Sequence, residues 1–444
     1  MQKKITIVGA GLVGSLCAIY MTKRGHKVDV YERRKDLRSK IISAGKSINL
    51  ALSKRGWTAL EKVGIAKQVN QIAIPMYKRI MHDKKGILSE QAYGNPGQAI
   101  YSVSRAELNS LMMERAEKKG ANIIFNERCI TVDFETSEIK FENIDTKKQT
   151  TIQSDIIIGA DGAFSAVREE MIKKKKHEYS IEYIDHNYKE LLIPSGEYGK
   201  HLLDKNALHI WPRGEFMLIA LANLDGSFTC TIFAPNKGKN SFEELQNKNS
   251  VQSYFTELFP DFVPLIPNLY DQWRTNPTSS LAIIKTYPWN VKEKALLVGD
   301  SAHATVPFYG QGMNAGFEDC RILDELLDSF NENWKDSFNE YSRIRKPNGD
   351  GIQDLSMQNF IVMRDKTADS KFLLQKVIEK KFANLYPEKW TPLYSMVSFT
   401  NIPYSVAWEI GIKQENLMKE IMNITNIEKI WDRKEIMQKM YNLV

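Results

Sequence analysis

Residues 3–34, KKITIVGAGLVGSLCAIYMTKRGHKVDVYERR, leave few folds open to this chain. An apolar run (Ile5, Ile7, Val8) meets Gly9, Gly11 and Gly14, after which Leu12, Leu16, Ile19 and Tyr20 recur at helical spacing. Gly25 closes that helix before a second strand, KVDVYE. Strand, glycine turn and helix in this order bring backbone N–H groups and the positive end of a helix to one point, where a pyrophosphate can sit. The first glycine permits the tight turn, the second lets backbone approach the phosphates, and the third lets helix and strand pack closely. Glu32, ending the second strand, is placed to accept hydrogen bonds from ribose hydroxyls.

Two further segments repeat the strand-to-glycine pattern. SDIIIGADGAFSAVR (154–168) reads as a buried strand ending in Gly159, Ala160, Asp161 and Gly162, with Arg168 in the first turns of a helix. ALLVGDSAHATVPFYGQGMN (295–314) is a strand running into Gly299, Asp300 and Ser301, then a turn-rich loop with Phe308 and Tyr309 in its middle. Asp300 can accept a hydrogen bond from a ribityl hydroxyl. Gly310, Gly312 and the amides of Met313 and Asn314 precede a helix whose positive end suits a pyrimidine carbonyl. Glu32 alone suits FAD and NAD alike, and an isolated GADG can be a structural turn. The three signals together, in this order, favour FAD.

The totals narrow the class. At 444 residues the chain is too long for one simple core. The net charge of +7 (61 basic minus 54 acidic residues) favours small anions but not nucleic acid, and the run Lys173 to Lys176 reads as a solvated helix end. Cys17, Cys129, Cys230 and Cys320 are scattered without CxxC spacing, which argues against a zinc site or a disulfide framework and points to a reducing cytoplasm. MQKKITIVGAG leaves no room for a signal peptide, and no apolar run approaches the ~18–20 residues of a membrane span.

Elsewhere, Ser104 with Glu107 three positions later predicts a capped helix start. Residues 180–290 read as strands, 207–234 most clearly, and the chain turns helical after 315. Leu417, Ile421, Ile424 and Ile427 predict one amphipathic helix.

The three nucleotide segments resemble the class A flavoprotein monooxygenases of the p-hydroxybenzoate hydroxylase fold, over residues 1–345. KSINLALSKRGWTALEKVG (46–64), IPMYKRIMH (74–82), IYSVSRAELN (100–109), PFYGQGMN (307–314), QNFIVMRDK (358–366) and TPLYSMVSF (391–399) are similar to the kynurenine 3-monooxygenase family within that class. The resemblance implies an α/β fold: a discontinuous Rossmann-like FAD-binding domain (1–70, 100–180, 280–345), a mainly antiparallel β-sheet substrate domain (71–99, 181–279) and a C-terminal helical region (346–444). It implies one extended FAD, held by Gly9, Gly11, Val13, Gly14, Tyr31, Glu32, Arg33, Arg34, Ala51, Arg105, Cys129, Asp161, Asp300, Gly310, Gly312, Met313 and Asn314. NADPH or NADH would reduce it transiently, since no second GxGxxG marks a nicotinamide site. Oxygen would then be delivered to the substrate ring from a C4a-hydroperoxide of the flavin.

In that family an arginine and a tyrosine fourteen residues downstream bind the carboxylate of L-kynurenine, and Arg79 and Tyr93 have that spacing. Asn359 and Tyr394 match the asparagine and tyrosine that complete the pocket. Pro307, Phe308 and Tyr309 match the loop over the substrate ring, with the apolar pair expected to face the substrate. The resemblance implies no catalytic side chain and no metal, and His303 reads as scaffold. Singly, Arg79 could be a surface charge, Tyr394 core packing and Asn359 a helix cap. Two other functions fit parts of the pattern: a hydroxylase of another aromatic, and a flavin-fold escort protein without enzymatic activity. The charged ending, IEKIWDRKEIMQKMYNLV, argues against the membrane anchor of eukaryotic members. It is expected to pack over the substrate entrance or against a second copy in a homodimer.

Overall fold

The structure, a computed structural model, describes residues 1–36, 38, 49–174, 177–362 and 369–444. Lys175, Lys176 and the string residues 46–48 and 363–366 therefore lie outside the described residues. The helix before the basic run ends at Ile172.

Among the described residues, a six-stranded sheet runs Asn290–Val291, Ala295–Leu297, Ile156–Gly159, Lys4–Val8, Lys27–Glu32, Asn122–Phe125. All neighbours are parallel except the first pair. The three strands that end in glycine turns thus lie side by side, with Val8 beside Gly159 and Gly159 beside Leu297. Their carboxyl ends open onto one crevice, the usual ligand position in such a sheet. The helix Leu12–Lys23 starts from Gly11 and gives way at Arg24 and Gly25, whose φ is +84°. Ile5, Ile7, Leu16, Ile19 and Tyr20 are fully buried in the core behind the sheet.

The second body is a seven-stranded sheet, ordered Thr278–Tyr287, Glu178–Ile193, Phe228–Pro235, Met217–Ala222, Ala207–Pro212, Lys78–His82, Leu88–Ala92. It is antiparallel except where Ala207–Pro212 runs beside Lys78–His82. Helices Lys248–Leu258 and Leu269–Thr275 interrupt the region read as all strand and cover one face through Phe255, Phe259 and Trp273.

Sheet membership moves three of the expected boundaries. Thr278–Tyr287 belongs wholly to the seven-stranded sheet, so the return to the six-stranded one comes after Tyr287 and not at 280. Ala73–Met76 pairs with Ile100–Ser104 in a small sheet with Asn49–Leu52, apart from the strands that follow it. The helix Trp334–Ile361 passes unbroken through 346 with Pro347 inside it. Its glycines let neighbours close in: a Cβ on Gly351 would sit 2.9 Å from Ser405 N, and one on Gly349 would sit 2.9 Å from Trp289.

The tail differs from the single helix expected. Tyr404–Met422 ends before Ile424, and Asn426 with φ +58° starts a separate turn, Ile427–Ile430. The spacing of the apolar residues survives because both pieces bury them in one cluster with Ile378, Phe382, Ile436 and Met440. The tail packs on the chain's own helices.

Candidate active site

At the first turn, Gly9 sits at φ +102° and its amide donates to Tyr31 O at 2.8 Å. A Cβ on Gly14 would lie 1.9 Å from Gly9 O, so this position is closed to any side chain. A Cβ on Gly11 would meet none of the described residues within 4 Å. The same turn therefore has one glycine fixed by packing and one facing open space, as a turn that takes a phosphate against its backbone requires. Val13 lies between Gly299 and Gly316, within 3.0 Å and 2.5 Å of where their Cβ atoms would be, which locks the first turn to the third.

Glu32 is 5 % exposed. Its Oε2 accepts from Ala10 N (2.9 Å), and Oε1 accepts from Arg34 N (2.9 Å) and Arg34 Nε (2.8 Å). Burial pushes its carboxyl up, but the hydrogen bonds and charge of Arg34, with the Ala10 amide, outweigh it and hold the group below its usual range. Tyr31 stacks on Phe141 at 4.0 Å, Arg33 is exposed, and Arg105 is exposed at the start of the helix Arg105–Lys118. Ser104 caps that helix by accepting from Glu107 N at 3.4 Å. Cys129 is buried, and burial pushes its thiol up, with the Asp161 charge adding to this.

At the second turn Asp161 Oδ2 accepts from Ala166 N (2.7 Å) and Val167 N (3.3 Å), while Oδ1 is buried without a partner. Burial raises this carboxyl's pKa. A buried carboxylate oxygen left unbonded is costly, and a ligand hydroxyl or amide would satisfy it. Arg168 donates to Ser301 O (2.9 Å) and Ala163 O (2.6 Å), tying the second turn to the third.

At the third turn Asp300 is exposed at the start of a short helix, and the preceding Gly299 has φ +62°. His303 is buried and bonds Asp319 Oδ2 at 2.6 Å. The loop then makes one tight turn, Pro307–Tyr309, and leaves it through Gly310 at φ +67° into the helix Gly312–Ser329. Asn314 is fully occupied: Oδ1 accepts from Ser53 N (2.9 Å), and Nδ2 donates to Ala51 O (2.9 Å) and Gly310 O (3.1 Å). Its side chain therefore fastens the loop to the strand Asn49–Leu52. The backbone amides of Gly312, Met313 and Asn314 stand in the first turn, where a helix cannot satisfy its own donors. These turns, the open face at Gly11 and the unbonded Asp161 oxygen fit an extended dinucleotide.

Phe308 and Tyr309 do not face one side. Successive residues of so tight a turn point about 120° apart. Phe308 is buried against Phe233 (5.0 Å) and Phe360 (4.4 Å), beneath the seven-stranded sheet's edge cluster. Tyr309 points the other way and stacks on Tyr394 at 5.7 Å. Asn359 Nδ2 donates to Phe308 O at 2.6 Å, so Asn359 holds the loop's backbone.

Arg79 lies on Lys78–His82, and its partly buried guanidinium sits 4.5 Å from the ring centre of Tyr394 and 4.8 Å from that of Tyr93. Tyr93 and Tyr394 are near parallel, 5.4 Å apart. Met76, Ile100 and Leu221 make the surroundings apolar. Tyr93 Oη is buried without a hydrogen-bond partner. Among the described residues no carboxylate pairs with Arg79, whereas the buried Arg55 and Arg345 are both paired. The structure thus gathers Arg79, Tyr93, Tyr394 and Tyr309, and joins Asn359 to them through the loop. Arg55, Glu318 and Arg345 went unmarked in the sequence, where each looks like an ordinary charge on a helix.

The FAD binding domain family matches residues 2–356. The kynurenine 3-monooxygenase of Flavobacterium psychrophilum is 49% identical over 100% of this chain and 99% of its own length. That of Flavobacterium johnsoniae is 48% identical over 99% and 98%. The chain belongs to the kynurenine 3-monooxygenase family. The family reaches well beyond these bacteria, for the Dictyostelium discoideum kynurenine 3-monooxygenase is 41% identical over 97% of this chain and 96% of its own. Two solved structures share the fold. Tetrameric 2-methyl-3-hydroxypyridine-5-carboxylic acid oxygenase has a TM-score of 0.67 at 18% identity, covering 84% of this chain and 95% of its own. A probable FAD-dependent monooxygenase from Pseudomonas aeruginosa also has a TM-score of 0.67, at 14% identity over 84% and 100%.

Proposed function

We propose that the chain hydroxylates L-kynurenine to 3-hydroxy-L-kynurenine, consuming O2 and NADPH or NADH, with FAD as cofactor. One oxygen atom enters the ring, and the other leaves as water with the two electrons of the reductant. The observation that carries the substrate end is Arg79: a partly buried cation in an apolar setting, with no carboxylate paired to it among the described residues. A bidentate carboxylate would pair it, and the unbonded Tyr93 hydroxyl would add a donor. In this reading the amino-acid carboxylate of kynurenine is that partner.

FAD, when bound, supplies the activation of O2 and the transfer of one oxygen atom. For the cofactor, the backbone at Gly9, Gly11, Val13 and Gly14 would take the pyrophosphate, and Glu32 with Tyr31, Arg33 and Arg34 the adenosine side. Ala51, Arg105, Cys129, Asp161 and Asp300 would line the path. Gly312, Met313 and Asn314 would present amides to the ring beside the turn at Gly310, with Tyr309 and Tyr394 closing the substrate side against water. Kynurenine's ring amine donates electrons to the ortho carbon, so no protein base is needed.

We also place the chain in the cytoplasm. Its four cysteines are free and buried, and no helix among the described residues is long and apolar enough to cross a membrane. The experiment is reductant oxidation with a panel of aromatics, each product checked by mass for one added oxygen. Kynurenine should be the substrate; a panel in which it is inert while a simple phenol gains oxygen refutes the assignment.

A further inference from the structure

The helix that carries Tyr394, Leu393–Phe399, has seven residues and no side-chain cap. Beside the apolar packing of Met396 and Val397, Arg55, fully buried on the helix Lys54–Lys62, tethers it. Arg55 Nε donates to Val397 O (3.3 Å), and Nη2 donates to Ile402 O. Nη1 donates to Glu318 Oε1 at 2.9 Å. The ring of Tyr404 lies on the guanidinium at 3.8 Å, and its hydroxyl donates to Gln311 Oε1 at 2.9 Å, just before the helix Gly312–Ser329.

Glu318 extends the link. Its Oε2 accepts from Arg345 Nη1 at 2.7 Å, and Arg345 lies on the helix that also carries Asn359. Arg345 Nε donates to Asp319 Oδ1 (2.8 Å), and Asp319 Oδ2 accepts from Gly299 N (2.9 Å), next to Asp300. One buried set of charges therefore touches the elements bearing Tyr394, Asn359, the ring-side loop and Asp300. Buried ion pairs of this kind are seldom more stabilising than apolar packing of the same volume, whereas they do fix geometry.

We propose that Arg55, acting through Glu318, is a positioning residue for the hydroxylation: it sets the helix Leu393–Phe399, and with it Tyr394, against Arg79 and the ring-side loop. The role in turnover rests on the kynurenine reading above, while the tether itself does not. Arg55→Lys keeps the charge and loses the fork that reaches two carbonyls and a carboxylate at once. Hydrogen exchange should then quicken at residues 394–402 and stay unchanged in the helix Leu12–Lys23. In the flavin-loaded enzyme KM for kynurenine should rise on the order of tenfold, with FAD content kept and less product per reductant consumed, as expected of a displaced substrate.

Tyr404→Phe, which leaves every charge in place, should raise KM by a smaller factor. Unchanged exchange and KM in Arg55→Lys would overturn the proposal. If that variant does not fold, Tyr404→Phe decides: a raised KM supports the role and a wild-type KM refutes it. A wild type inert to kynurenine, with exchange at 394–402 still quickened in Arg55→Lys, would instead sink the substrate reading and leave the tether standing.

Discussion

Arg79 shows how a single residue can carry a substrate assignment. Its guanidinium has aromatic faces but, among the described residues, no anion. Removing the cation from a desolvated carboxylate typically costs roughly 2–5 kcal/mol, about thirtyfold to a few thousandfold in affinity. Arg79→Ala should lose that much kynurenine binding and keep its flavin, and Arg79→Lys should recover only part of it, because an ammonium lacks the fork. Titration of the variants with kynurenine, and with an analogue lacking the carboxylate, tests this. Equal losses for both ligands would make Arg79 scaffold. The glycines give a second comparison. Gly11→Ala meets no atom of the described residues, so it should fold with wild-type stability and yet retain little FAD. Gly14→Ala would collide with Gly9 O and should damage folding itself. Apo-protein melting beside flavin content separates the two. Arg79 could be singled out because it sits in the distinctive string IPMYKRIMH, and Tyr93 because it lies fourteen residues downstream. Arg55 and Glu318 could not, since the pair is made by chain segments 263 residues apart and neither residue carries a local signal of burial.

At the scale of elements, the phosphate turns and their strands could be read because turn, strand period and helix start are local properties. The tail helix could not be bounded, since Ile424 and Ile427 keep an apolar spacing across the break at Asn426. The helical reading after 315 extends through Pro347, Asn348 and Gly349, where the helix Trp334–Ile361 continues under close packing by Trp289 and the tail. The strand Glu178–Ile193 carries a testable oddity. Burial pushes the Glu190 carboxyl up to about 7, with Arg105 pulling weakly the other way. Its folded pKa is thus above the ordinary value of 4.5, so the folded state holds the proton longer than the unfolded chain does. That contribution to stability is complete below pH 4.5 and is lost as pH rises through about 7. Glu190→Gln cannot ionise. Its melting temperature relative to wild type should therefore climb between pH 5 and pH 8, and a flat difference would show that Glu190 titrates normally.

In the whole molecule, the site lies where three bodies meet: the six-stranded sheet supplies the turns, the seven-stranded sheet supplies Arg79, and the C-terminal helices supply Tyr394. The resemblance implied all three bodies and put Asn359 and Tyr394 in the pocket, whereas the packing that joins the third to the first two, through Arg55 and Glu318, is long-range and leaves no local trace. The tail's apolar residues are spent on one another: Ile436, Met437 and Met440 of the helix Lys434–Leu443 cover Ile378, Phe382, Met418 and Ile421. This cluster shares no residue with the core behind the phosphate turns. Met440→Ala should open a cavity costing roughly 2–5 kcal/mol. The loss should fall on the C-terminal helices, as an early thermal transition seen by calorimetry while flavin absorbance and its protein-bound fluorescence hold to the main one. The helix Tyr404–Met422 reaches from this cluster to the one around Val397, so kynurenine affinity should weaken modestly as well. Loss of flavin in the same single transition as the tail would mean that the C-terminal helices and the dinucleotide domain unfold as one unit.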